Sequence, residues 1–244
     1  MSEKEWFSEW FNSPYYHLLY KNRDNKEAEL FIDNLITLLH IEPGKKILDL
    51  PCGKGRHAVY FNKKGFDVTG LDLSPHNIEY ASQFSNSTLH FHVHDMRFPY
   101  VTKEFDCAVN LFTSFGYFEN EEENLNSMKT LAQALKPKGI LALDFMNTYE
   151  VIKDLKPEEL LCRNNIDFCI HRSLKNGFVV KDILFKDNGH DYHFEEKVKA
   201  YTQKDFEALF NSVGLQVQYL FGNYKLDPYN PETSDRMIFI AIKN

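Results

Sequence analysis

The chain has 244 residues, 43% hydrophobic and 26% charged, a globular balance that excludes wholesale disorder and suits one domain carrying an insertion. Aromatic residues reach 15%, with 21 Phe and 13 Tyr, enough to fill a core and line a cavity. Against 35 acidic side chains stand 28 basic ones, a formal charge of −7 that argues against a phosphate backbone as partner, so nucleic acid is not expected.

The opening MSEKEWFSEWFNSPYY lacks the apolar segment of a secretory signal, and no run approaches the ~18 apolar residues of a membrane span. Cys52, Cys107, Cys162 and Cys169 are scattered with no C-x-x-C pair, which predicts reduced thiols in a soluble cytoplasmic protein, without disulfides or zinc. Asp24, with Glu27 three residues on, starts a helix whose apolar residues recur through Phe31, Ile32, Leu35 and Leu39 until Pro43-Gly44. Ile47–Leu50 reads as a buried strand feeding the turn Pro51-Cys52-Gly53-Lys54-Gly55, and Arg56–Lys64 as the next helix. Asp67–Leu71 is a second strand with Asp72 at its end, and Ser74-Pro75 starts another helix. Strands follow near Thr88–Val93, Phe105–Phe112 and Gly139–Phe145, with a helix Glu119–Leu135 that opens on four acids in five residues, favourable at a positive dipole end. Strand and helix alternating over 45–146 predict an α/β fold, a parallel sheet covered on both faces.

After Tyr149 the pattern changes. Asn176-Gly177 and Asn188-Gly189 are hairpin signals that divide 165–200 into three strands of an antiparallel β-meander. One face of it (Ile166, Phe168, Ile170, Val179, Ile183, Phe185) is apolar and needs cover, so the meander is expected to roof the cleft at the sheet end. Thr202 caps a helix, Lys204–Val213, and closing strands follow near Gln216–Phe221 and Arg236–Ile242.

Gly53-Lys-Gly55-Arg-His-Ala58 fits the G-x-G-x-x-G/A pattern between a strand and a helix, and Asp72 stands roughly twenty residues on, where a carboxylate accepts from ribose hydroxyls. Two details separate a dinucleotide from S-adenosylmethionine. Asp49 interrupts the first strand four residues before Gly53, where an anion repels a pyrophosphate but suits an ammonium and a sulfonium. Asp95, after the third strand, is placed to accept from an adenine amino group. Three carboxylates on one rim favour the cationic ligand. The alternatives weighed are a non-catalytic S-adenosylmethionine-binding regulator and an NAD-dependent oxidoreductase using the same glycine loop.

The runs Ile47-Leu-Asp-Leu-Pro-Cys-Gly-Lys-Gly-Arg-His57, Val68-Thr-Gly-Leu-Asp-Leu-Ser74, His94-Asp-Met-Arg97, Phe105-Asp-Cys-Ala-Val-Asn-Leu-Phe112 and Leu135-Lys-Pro-Lys-Gly-Ile-Leu141 together resemble the class I S-adenosylmethionine-dependent methyltransferases of small-molecule type. The resemblance implies a Rossmann-like, doubly wound, seven-stranded, mostly parallel sheet with the last strand antiparallel, here with the inserted meander. It implies S-adenosyl-L-methionine as cofactor, with Gly53 and Gly55 at its methionine part, Asp49 near the amino group and Asp72 on the ribose. Leu73 would pack on the adenine, Asp95 and the Met96 backbone read its edge, and Asn110 and Leu111 lie beneath the methionine moiety. Pro51 stands where the family usually has a small residue, and is expected to stiffen the loop. The N-terminal stretch looks like the family's lid, from which Tyr16 and Arg23 would close over the cofactor. The layout implied is a single domain over 1–244: lid helices in 1–40, cofactor-binding core in 41–150, inserted meander in 151–200, and completion of the sheet in 201–244.

Phe115 and Tyr117, after the fourth strand, are expected to flank a small-molecule methyl acceptor, since the Asn/Asp-Pro-Pro-Tyr motif of base-methylating enzymes is absent there. Tyr117, His57 and Tyr16 are possible general bases and the catalytic residue stays unassigned. His90, His92 and His94 share one strand face without a second ligand cluster, so no metal is expected. A monomer or homodimer is expected.

Overall fold

The computed structural model describes residues 6–20 and 25–244. Two short helices come first, α1 (Trp6–Trp10) and α2 (Pro14–Leu19). The Ser13 hydroxyl caps α2 by accepting from the Tyr15 amide, and Pro14 takes the first helical position, where no amide donor is required. Helix α3 (Asn25–Leu39) buries a stripe of Phe31, Ile32 and Leu35. The expected cap Asp24 lies outside the described residues. Then β1 (Lys46–Asp49), α4 (Arg56–Lys63), β2 (Asp67–Asp72), α5 (Pro75–Ser82), β3 (Leu89–Val93), β4 (Phe105–Asn110), α6 (Glu121–Ala134) and β5 (Leu135–Met146) realise the predicted alternation. Helix α7 (Thr148–Lys153) leads to β6 (Glu158–Arg163), β7 (Ile166–Lys175), β8 (Phe178–Asp187) and β9 (His190–Lys199). The chain closes with α8 (Gln203–Ser212), β10 (Leu215–Phe221) and β11 (Arg236–Lys243).

The main sheet has seven strands in the order β10-β11-β5-β4-β1-β2-β3. Strands β1 to β5 pair in parallel, while β11 runs antiparallel to both β5 and β10. Strand β1 therefore sits between β2 and β4, where the order reverses, and the crevice above it is the expected ligand position in such sheets. Side chains alternate between two cores: Ile47 joins α3, α4 and α5 through Phe31, Phe61 and Ile78, while Leu48 joins α6 and α8 through Met128, Leu131 and Phe206. No described helix is long and apolar enough to cross a membrane.

The insertion is a four-stranded antiparallel sheet, β6-β7-β8-β9, rather than the three-stranded meander expected. The first hairpin turns on Asn164 and Asn165, both at positive φ (49° and 63°), so two asparagines serve where a glycine was sought. Its apolar face does not lie over the cleft. Ile166, Phe168, Ile170, Ile183 and Phe185 bury instead against Trp10 and Leu19 of the N-terminal helices.

Candidate active site

Between β1 and α4 the chain folds over the ends of β1 and β2. The Cys52 amide donates to the Leu71 carbonyl at 2.8 Å, and the Gly53 amide to Asp72 Oδ2 at 2.8 Å. Asp72 Oδ1 accepts from the Ser74 amide (2.9 Å) and from Asn77 Nδ2 (3.2 Å). Burial raises the Asp72 pKa, and these three donors pull it back. One carboxylate thus ties the glycine turn to the start of α5. Gly55 has a φ of 82°, and a Cβ there would stand 2.8 Å from the Phe91 ring, so the glycine makes room for the helix start to pack on β3.

A cavity of about 530 Å³ opens above these strand ends, roofed by α1, α2 and Tyr20. Tyr16, Pro51, Gly53, Asp72, Leu73, Asp95, Met96, Leu111 and Tyr117, all singled out from sequence, line it. Asp49, Gly55 and Asn110 do not; they stand behind the wall and shape it. Asn110 Nδ2 donates to the Leu50 and Ser114 carbonyls (2.9 and 3.1 Å), fixing the loops on either side. Asp49 is fully buried, Oδ2 accepting from the Ala58 amide at 3.1 Å while Oδ1 has no partner. Burial pushes its carboxyl up to about 8, the Ala58 amide opposing. Phe115 corrects the expectation for the acceptor pocket: it is buried against Tyr201 and Phe206, with ring centroids 6.0 and 5.8 Å apart, in the core under α8. Arg23 lies outside the described residues.

Sequence reasoning missed how Asp95 is held. Arg97 reaches both of its oxygens, Nε at 3.1 and 3.0 Å and a terminal nitrogen at 2.6 Å, and then bridges to Glu123 at 2.9 Å. The expected lid does line the wall through Tyr16, but the sequence did not single out Phe7, Phe11, Asn12 and His17, which stand there with it. Burial lowers the His17 pKa to about 4, with Lys54 and His76 adding to the effect, so its imidazole is neutral near pH 7. Beyond β4, Phe112 and Thr113 both adopt left-handed backbone, φ 61° and 59°, a costly conformation for a β-branched residue. The Phe112 amide donates to Oδ2 of the buried Asp144 (2.8 Å) and the Thr113 amide to the Asp144 carbonyl (3.0 Å), while the half-buried Arg236 donates to Asp144 Oδ1 (2.8 Å) and Thr113 Oγ1 (2.9 Å). The turn places the Phe112 ring in the cavity wall against His57, 5.1 Å between centroids.

Of the possible bases, Tyr117 donates its hydroxyl proton to the Thr113 carbonyl at 2.6 Å, and His57 is buried against Phe112. His90 and His92 are exposed on β3. Among the described residues, the grouping with metal-ligand spacing is Glu158, Cys169 and His171 on the inserted sheet, none of which lines the cavity.

The residues fit S-adenosylmethionine better than a dinucleotide. The Gly53 N–H, which a pyrophosphate would need, is already given to Asp72, whereas Asp49 Oδ1 is a buried acceptor with no donor behind the same turn. Comparison with known proteins agrees. The family model described as "Methyltransferase domain" matches residues 22–220. A putative methyltransferase of Bacillus subtilis, YqeM, is 28% identical over 210 residues, covering 82% of this chain and 84% of the relative. The dTDP-3-amino-3,4,6-trideoxy-alpha-D-glucopyranose N,N-dimethyltransferase of Streptomyces venezuelae is 26% identical over 185 residues, 72% of this chain and 77% of that one. The crystal structure of an S-adenosylmethionine-dependent methyltransferase from Clostridium acetobutylicum has the same fold, with a TM-score of 0.79 at 19% identity, over 94% of this chain and 96% of that chain. The glycine turn, the carboxylate at the end of β2, the sheet order and the family match over most of the chain converge: the protein belongs to the S-adenosylmethionine-dependent methyltransferases.

Proposed function

We propose that the chain methylates an amine nitrogen of a small-molecule acceptor. The observation that carries this reading is the composition of the cavity wall. Its two lining carboxylates are engaged, Asp72 with Gly53, Ser74 and Asn77, and Asp95 with Arg97, while Phe7, Phe11, Tyr16, Phe112, Tyr117 and Phe118 line much of the rest. A hydroxyl acceptor would need a strong base beside it. An amine needs only to bind without its proton, and a desolvated aromatic wall lowers an ammonium pKa in that direction. The methylated ammonium then meets aromatic faces that attract cations. The S. venezuelae relative, named as an amino-sugar N,N-dimethyltransferase, supports the same acceptor class.

Bound there, S-adenosylmethionine supplies a methyl group on a sulfonium, a good leaving group in an in-line displacement. The work left to the protein is positioning and water exclusion. Asp72 would hold the ribose, Leu73 the adenine face, Asp95 and the Met96 backbone the adenine edge, and the glycine turn with Asp49 behind it the methionine amino end. Tyr16 would close over the top, and Asn110 and Leu111 would support the floor. The test is transfer of labelled methyl from S-adenosylmethionine to pools of small amines, alcohols and thiols. Label in the amine pool, rising with pH as the amine deprotonates, is expected. Label only in alcohols or thiols contradicts the reading.

A further inference from the structure

No described residue between 158 and 199 lines the cavity, yet the inserted sheet is hydrogen-bonded to α1, to α2 and to Tyr20, the parts that roof it. Glu196, on β9 and only 8% exposed, receives the Trp10 indole N–H at 2.6 Å and the Tyr20 hydroxyl at 2.8 Å from each oxygen. Lys181 of β8 stands 3.2 Å from the same carboxylate and donates to the Tyr20 oxygen at 3.1 Å. The hydroxyl therefore accepts from Lys181 while it donates to Glu196. Burial alone would raise the Glu196 pKa, but the Lys181 charge and the Trp10 and Tyr20 donors outweigh it and hold the carboxyl below its ordinary value. Tyr15 repeats the attachment at the far end of the hairpin, its hydroxyl donating to Asp187 at 2.8 Å. Positions 10, 15 and 20 thus grip the sheet, while Phe7, Phe11 and Tyr16 face the cavity and Tyr20 does both.

We propose that Glu196 is a positioning residue for methyl transfer, clamping α1 and α2 over the cavity so that the inserted sheet controls cofactor exchange through the lid. The inference rests on the methyltransferase reading and adds to it a role for the insertion. Leaving one partner of a buried charge network uncompensated is costly, so loss of the carboxylate weakens lid closure more than it perturbs the cavity wall.

The chain's two tryptophans, Trp6 and Trp10, both lie in α1, so intrinsic fluorescence reports on the lid. Release of S-adenosylhomocysteine is followed by stopped flow in the wild type, Glu196→Gln, Tyr20→Phe and the double variant, with melting curves for each. Both single variants should release it about tenfold faster, and the double variant no more than about twofold faster again, since the pair shares one interaction. The KM for S-adenosylmethionine should rise more than kcat falls. Wild-type release rates in folded variants, even with a lowered Tm, make Glu196 merely structural and overturn the clamp; so do multiplicative effects in the double variant. If Glu196→Gln does not fold, Tyr20→Phe, which removes one hydroxyl, decides alone. A wild-type chain that fails to bind S-adenosylhomocysteine overturns the methyltransferase reading itself and the clamp with it.

Discussion

Asp49, fully buried, and His17, half-buried, are opposite kinds of acid–base group at the same site. Burial pushes the Asp49 carboxyl from 3.8 up to about 8, so between those values the folded chain keeps a proton that the unfolded chain gives up. Stability of the ligand-free protein therefore falls as pH rises through that window. His17 is lowered from 6.5 to about 4, so the unfolded chain binds its proton first, and stability is lost as pH falls through that range. Asp49→Asn should flatten the alkaline loss and raise Tm near pH 8 while weakening S-adenosylhomocysteine binding, seen by melting curves between about pH 5 and 8 and by titration. A lower Tm at pH 8 with unchanged affinity would remove Asp49 from the site. At this scale the sequence displayed the carboxylates because strand, turn and acid come in fixed order. It did not display Phe115 as core, because only the left-handed turn at Phe112 and Thr113 decides which ring after β4 meets the cavity and which meets α8.

The elements were legible in proportion to how much of their pattern is local. Strands β1, β2 and β4 are buried on both faces over most of their length and carry short apolar stretches that show it, and the caps at Ser74 and Thr202 mark their helices directly. Strand β6 is an edge strand with Leu160 70% exposed and an Asn-Asn turn after it, so neither alternation nor a glycine announced it. The turn after β4 depends on a distant pair. Asp144→Asn would take the counter-charge from the half-buried Arg236 and remove an acceptor shared by the Phe112 amide, at a cost of about 1–3 kcal/mol. Denaturant unfolding measures this, and a loss under ~1 kcal/mol would show that the pair does not hold the turn. Gly70→Ala meets Phe91 at 2.6 Å and the Cys52 sulfur at 3.0 Å, an overpacking expected to cost about 1–3 kcal/mol in the same assay. A neutral result would mean that β3 shifts freely beneath the glycine turn.

The whole molecule is three layers deep on its functional side: the strand ends, the lid helices, and the inserted sheet that carries the lid. Sequence alone supplied the layers but not their order, because an apolar face at 166–185 says only that cover is needed, not which element gives it. The order changes a prediction. An insertion that touched only the acceptor could be removed without effect on the cofactor. Replacing residues 156–199 by a short Gly-Ser linker instead uncovers Trp10 and Leu19 and takes away Glu196, so S-adenosylhomocysteine affinity should fall at least tenfold in a variant whose main sheet still folds, on the coupling scale of contacting groups. Unchanged affinity there would contradict a hold of the sheet on the cofactor through the lid. The central claim, that the crevice at the end of β2 is the cofactor site, is tested most directly by calorimetric titration of S-adenosylhomocysteine into the wild type and into Asp72→Ala. Loss of a charged acceptor worth ~1.5–3 kcal/mol predicts saturable binding by the wild type and roughly 10- to 150-fold weaker binding by the folded variant. Equal affinity in the two would contradict it.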